Sequence, residues 1–143
     1  MTALRKTTQL EDPKINVRMK LSALWVTLML LYAYADILSL YQPGQLQDML
    51  DGRMGPFPAT QGSLASAAVL MVIPALMIFL PLALRPDAAR WTNILVGALY
   101  TAVNISNLIG ETWMFYLLFG VVEIGITLLI IRKAWKWPKS DAA

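Results

Sequence analysis

The stretch Trp113 to Ile131, WMFYLLFGVVEIGITLLII, is apolar but for one ionisable side chain, Glu123. At about 1.5 Å of rise per helical residue, such a run crosses roughly the ~30 Å hydrocarbon core of a bilayer, so it reads as a membrane helix. Glu123 then falls near the midplane, where a charge costs on the order of 3 kcal/mol even on lenient insertion scales, and its carboxyl needs a partner or a proton. Helical steps align Tyr116, Gly120, Glu123 and Thr127 in one small and polar stripe, which is expected to face protein and not lipid.

Three more runs of similar length precede it, and the four spans are expected at about 21–41, 63–84, 91–109 and 113–131. They occupy most of the 143 residues; with 57% hydrophobic residues, 15% charged residues and a mean hydropathy of +0.56, the chain reads as one membrane domain over 1–143. The expected fold class is all-α, an antiparallel bundle of four transmembrane helices. Cysteine and histidine are absent, which removes disulfides, thiolate and imidazole metal sites, Cys nucleophiles, Ser-His-Asp triads and His-ligated haem. No catalytic residue, metal site or cofactor is nominated. The net charge of +3 comes from bases flanking apolar runs, which suits a lipid surface and not a nucleic acid.

Orientation follows from the bases. With both termini on one side, Arg5, Lys6, Lys14, Arg18, Lys20, Arg85, Arg90, Arg132, Lys133, Lys136 and Lys139 share that side, and only Arg53 lies across the membrane. The positive-inside rule makes that side cytoplasmic. Trp25, Trp91, Trp135 and Trp137 then mark the inner boundary, and Tyr41 and Trp113 the outer one. Residues 1–12 form a polar cytoplasmic tail. Residues 132–143 form a basic one, where tryptophans alternating with Lys and Arg make an interfacial anchor for anionic lipids.

Along the chain, Asp12-Pro13 reads as an N-cap and first-turn proline, placing a helix start ahead of the membrane. Ala33-Tyr34-Ala35 has the form of a signal-peptidase site after a basic and apolar run, but the apolar run continues through Ile37-Leu38-Ser39-Leu40, which favours a retained span. Gln42-Pro43-Gly44 is a turn, and Leu46, Met49 and Leu50 in GQLQDML predict a short interfacial helix. Pro74 should kink or break the second span and free carbonyls that need partners inside the protein, although packing geometry alone is the plainer reading of it. Asp87 is the expected N-cap of the third span, tightly turned from the second through Arg85 to Arg90.

The third span carries the most regular polar stripe, Asn93, Gly97, Tyr100, Asn104 and Asn107, with Glu111 at its exit; the first has Ser22, Trp25, Met29, Tyr32, Asp36 and Ser39. Depth puts Asp36, Asn104 and Asn107 in the outer third, Glu111 at the mouth and Glu123 deeper. The expected site is therefore a pocket open to the outside, walled by Tyr32, Tyr100 and Tyr116 and floored by Glu123, with Thr127 beneath. The plainer alternative is interhelical hydrogen bonding, worth about 0.6 kcal/mol per contact on average. It weighs more for the asparagines than for the two acids, which cost more to bury.

At YADILSL (34–40), RWTNILVGALYTAVNISNL (90–108), YLLFGVVEIGITLLII (116–131) and AWKW (134–137), the chain resembles a bacterial family of small four-helix integral membrane proteins filed as a domain of unknown function. The resemblance covers nearly the whole chain and implies the bacterial cytoplasmic (inner) membrane, with no activity to transfer. In architecture alone it is also similar to the DoxX-like proteins, small four-helix subunits linked to respiratory or redox partners. Two functions of different class are expected. One is proton-linked or small-molecule transport or binding at the polar pocket, in a homo-oligomer because four spans are few for alternating access. The other is an interaction or assembly subunit held by a membrane partner protein. Enzymatic work on a lipid stands third, since nothing supplies a nucleophile or oxyanion donors.

Overall fold

A computed structural model describes residue 10 and residues 12–139; most of the tail expected over 1–12, and the end of the basic tail past 139, lie outside the described residues. The chain is mostly helical. In order it forms α1 (Val17–Ser39), α2 (Gln45–Leu50), β1 (Arg53–Met54), β2 (Phe57–Pro58), α3 (Gln61–Ala83), α4 (Pro86–Leu108) and α5 (Met114–Trp135). Of these α1, α3 and α5 are long and apolar enough to cross a membrane. The equally long α4 is less apolar, because it carries Asp87, Arg90 and three asparagines.

Capping corrects two helix starts. The first helix begins at Val17 and not after Asp12: the Asn16 side chain accepts from the Arg18 backbone N–H at 2.9 Å, and residues 12–16 remain non-helical. A cap next to the buried face that begins at Leu21 outcompetes an earlier one that leads into four exposed residues. Asp87 is likewise not the N-cap of α4. Pro86 takes the first helical position, where its missing N–H costs nothing, so Arg85 becomes the capping residue and Asp87 sits in the first turn, favourably placed against the helix dipole.

The connection between α1 and α3 holds α2, the short helix expected in GQLQDML, and a β1–β2 hairpin pairing Arg53 with Pro58 and Met54 with Phe57. Asp48 and Arg53 form an ion pair across it. A capping box then starts α3, with Thr60 and Ser63 exchanging side-chain and backbone hydrogen bonds.

Although it contains Pro74 and Pro81, α3 stays helical throughout. Pro74 has no N–H for the carbonyl of Leu70, one turn earlier, and the Tyr100 hydroxyl of α4 donates to that carbonyl instead. At the other end, the Arg18 guanidinium donates to the carbonyls of Leu84 at 2.7 Å, Leu82 at 3.2 Å and Pro81 at 3.3 Å, closing the C-terminus of α3.

The long helices pack α1 on α3 and α5, and α4 on α5 and α3. Two glycines bring α4 and α5 close. A Cβ at Gly97 would meet Ile131 at 2.9 Å, and one at Gly120 would run into Leu108. Thr101 and Thr127 join hydroxyls between them at 2.8 Å. The core gathers Leu21, Trp25, Leu28, Met77, Tyr100 and Ile130. Trp25 is fully buried there, edge-on to Tyr100 at 6.2 Å, and so is not the boundary aromatic expected from its depth. Elsewhere the surface is rich in exposed Leu, Ile, Val and Phe, among them Leu64, Val69, Leu76 and Phe79 of α3.

Candidate functional site

The face of α4 read from its sequence is its buried face: Asn93, Gly97, Tyr100 and Asn104 all point inward. Asn93 is fully occupied, accepting from Trp25 Nε1 at 2.8 Å and donating to the Ala89 carbonyl at 2.7 Å. Asn104, three turns further, is not. Its Oδ1 accepts from the Tyr32 hydroxyl at 2.7 Å, while its Nδ2 is buried and has no partner among the described residues. A buried donor left unpaired costs about 1 to 3 kcal/mol, so this one calls for an explanation.

Asn104 borders a cavity of about 60 Å³ formed by all four long helices. From α1 come Tyr32 and Asp36, one helical turn apart; from α4, Tyr100, Asn104 and Asn107; from α5, Tyr116, Phe119 and Glu123; from α3, Leu70 and Met71. Seven residues expected at the site thus share one cavity: Asp36, Glu123, Asn104, Asn107, Tyr32, Tyr100 and Tyr116. The Tyr100 hydroxyl is already committed to Leu70. Glu123 is 7% exposed, and its carboxyl makes no hydrogen bond or ion pair with any described residue. Asp36 and Asn107 are more open. Among the described residues the lining holds two carboxyls and no Lys or Arg.

Two other expected residues lie elsewhere. Glu111 turns back on its own loop, accepting from the N–H groups of Thr112 at 2.7 Å and Trp113 at 2.8 Å just ahead of α5. Thr127 is buried one turn below Glu123, where it joins Thr101 and donates to the Ile124 carbonyl.

A second cavity, of about 560 Å³, adjoins the first. It lies between α1, α2, the hairpin and α3 and is lined by Ile37, Leu40, Met49, Met54, Ala67 and Ala68, among others, with Asp36 and Met71 common to both linings. Nothing in the periodicity of the long helices announces this chamber, because Met49 and Met54 belong to the connection. Their apolar character in an otherwise polar loop was the available signal. Among the described residues no three acidic side chains gather as a metal-ligand set.

The fold and the cavity define a mostly helical protein whose apolar helices are compatible with a membrane, with a polar chamber among them. The chain belongs to a family of unknown function, DUF6326, whose model matches residues 11–143. No curated protein and no solved structure matches it. The family brings no activity with it, and a likeness to the DoxX-like proteins is not shown.

Proposed function

We propose that the chain is a four-span protein of the bacterial inner membrane, with both termini cytoplasmic, that binds a small cation in exchange for a proton at Asp36 and Glu123. Support for α4 as the fourth span comes from its two faces: Asn93 and Asn104 are turned inward, and Leu95, Leu99 and Ile105 outward. An antiparallel arrangement is supported by contacts between opposite ends, Arg18 with the end of α3 and Leu108 with the early Gly120 of α5.

One observation carries the functional reading. Two carboxyls, one of them nearly buried and without a partner among the described residues, line a single cavity to which no described Lys or Arg contributes. An intramembrane acid without a structural partner is most economically explained by an ion or proton that visits it. Size selects the visitor. Ligand pockets for drug-sized molecules run to ~300–1,000 Å³, whereas a chamber of about 60 Å³ has room for a few waters or an ion. A water there would accept from Asn104 Nδ2 and donate toward Glu123, giving the unpaired amide its partner. Any larger body belongs in the adjoining chamber, with its cationic group at Asp36.

Alkylammonium ions of increasing size, added to the purified protein in nanodiscs, test this reading. Small members should raise the melting temperature, and the gain should depend on pH between about 5 and 8 because proton and cation compete. Asp36→Asn should weaken the gain, and Glu123→Gln should remove its pH dependence. A flat response to every cation across that range would overturn the reading. The assembly-subunit alternative draws on α3, the span least covered by the rest of the chain. It requires one stoichiometric membrane partner, or a second copy, after mild solubilisation.

A further inference from the structure

At the basic end of the molecule the seam between α1 and α5 carries two depressions that run into each other. The outer one, about 250 Å³, is lined by Lys20, Arg132, Lys133 and Lys136 together with Ile15, Val17 and Pro138. The inner one, about 280 Å³, is lined by Ala23, Leu24, Thr27 and Leu129, and shares Lys20 and Lys133 with the first. Among the described residues no acidic side chain lines either of them. The Thr27 hydroxyl already donates to the Ala23 carbonyl, so the inner groove is apolar in practice. From Lys20 to Thr27 it follows α1 for roughly 10 Å at 1.5 Å per residue.

We infer that this seam seats one anionic phospholipid, its phosphate among Lys20, Lys133, Arg132 and Lys136 and one acyl chain along Ala23, Leu24 and Leu129. The argument is complementarity in two parts. Four bases on one rim, with no carboxylate among the described residues there, suit a phosphodiester, and the apolar trough begins where that charge ends. The two shared lysines mark the junction, as a glycerol backbone requires.

Other bases at this end are engaged differently, which is why the site falls at this seam. The Arg18 guanidinium holds the end of α3. Arg90 lies over the rings of Trp91 at 5.4 Å and Trp135 at 5.7 Å, in a depression that also contains Asp87. Neither continues into an apolar trough. The inference needs the membrane setting only and is independent of the carboxylate cavity.

Native mass spectrometry of the delipidated full chain tests it, with phosphatidylglycerol and phosphatidylcholine of identical acyl chains as probes. One phosphatidylglycerol should be retained in preference to phosphatidylcholine. The double substitution Lys20→Gln/Lys133→Gln should weaken that binding about thirtyfold, the effect of two lost surface charges. Lys20→Arg/Lys133→Arg should restore it, which separates lost charge from lost folding. Arg85→Gln/Arg90→Gln removes the same net charge away from the seam and should leave binding unchanged. Ala23→Phe, which fills the trough, should weaken phosphatidylglycerol but not inorganic phosphate. Equal loss in the off-seam pair would mean diffuse surface charge and overturn the site. Equal retention of phosphatidylcholine, or indifference to Ala23→Phe, would overturn it as well.

Discussion

Asn93 and Asn104 are the same residue on the same face of the same helix, yet the ends of the interior that they serve are built on different terms. Around Asn93 every polar atom has a protein partner: the Trp25 indole on one side, the Ala89 carbonyl on the other, within a close-packed apolar core. Around Asn104 one amide donor and one nearly buried carboxyl have no partner among the described residues, and a cavity opens where side chains would otherwise meet. A polar stripe is therefore not one kind of object. Where its groups are satisfied it fixes helix register, and where they are not it leaves capacity for something that is not part of the chain.

On that contrast, substitutions of groups that have protein partners should cost stability, and those of groups that face the cavity should cost little. Trp25→Ala should be the most damaging, about 3 to 5 kcal/mol, because it empties a fully packed position; denaturant titration in mixed micelles would read it. Asn93→Leu should follow at about 1 to 3 kcal/mol, since it strands the Trp25 N–H in a dry core. Tyr100→Phe should cost about 1 kcal/mol by leaving the Leu70 carbonyl, already deserted by Pro74, without a donor. Asn104→Leu should cost about 0.5 kcal/mol, because Tyr32 can turn its hydroxyl to water in the cavity. Equal costs at Asn93 and Asn104 would erase the distinction between the two ends.

How much of this was legible in the sequence follows the same line. Spacing alone identified the inward face of α4; the expected meeting of Asp36, Asn104 and Glu123 needed depth as well, and Pro74 raised the need for an outside donor only beside the plainer reading of packing geometry. Periodicity assigns a residue to a face, and a face is shared by everything stacked along it. It does not say whether a given polar group finds a partner locally. Glu111 fits the stripe of α4 but turns to the two N–H groups beside it, and Thr127 fits that of α5 but meets Thr101. Trp25 carried two readings: its depth suits the boundary and its place in the stripe of α1 suits the interior, and the packing of α1 against its neighbours realises the second. The helix starts at Asn16 and Arg85 were decided by competition between adjacent caps, each plausible alone.

The most direct test is whether Glu123 titrates where it lies. Infrared difference spectra of the protein in lipid, taken between about pH 5 and 8, report the carbonyl stretch of a protonated carboxyl. The expected result is a band that changes with pH, is absent in Glu123→Gln, and is lost when a bound cation displaces the proton, while Glu123→Gln melts within about 0.5 kcal/mol of the native chain because an amide fills the same space. A spectrum unchanged by pH, or the same band surviving in Glu123→Gln, would contradict it and leave the open end as packing alone.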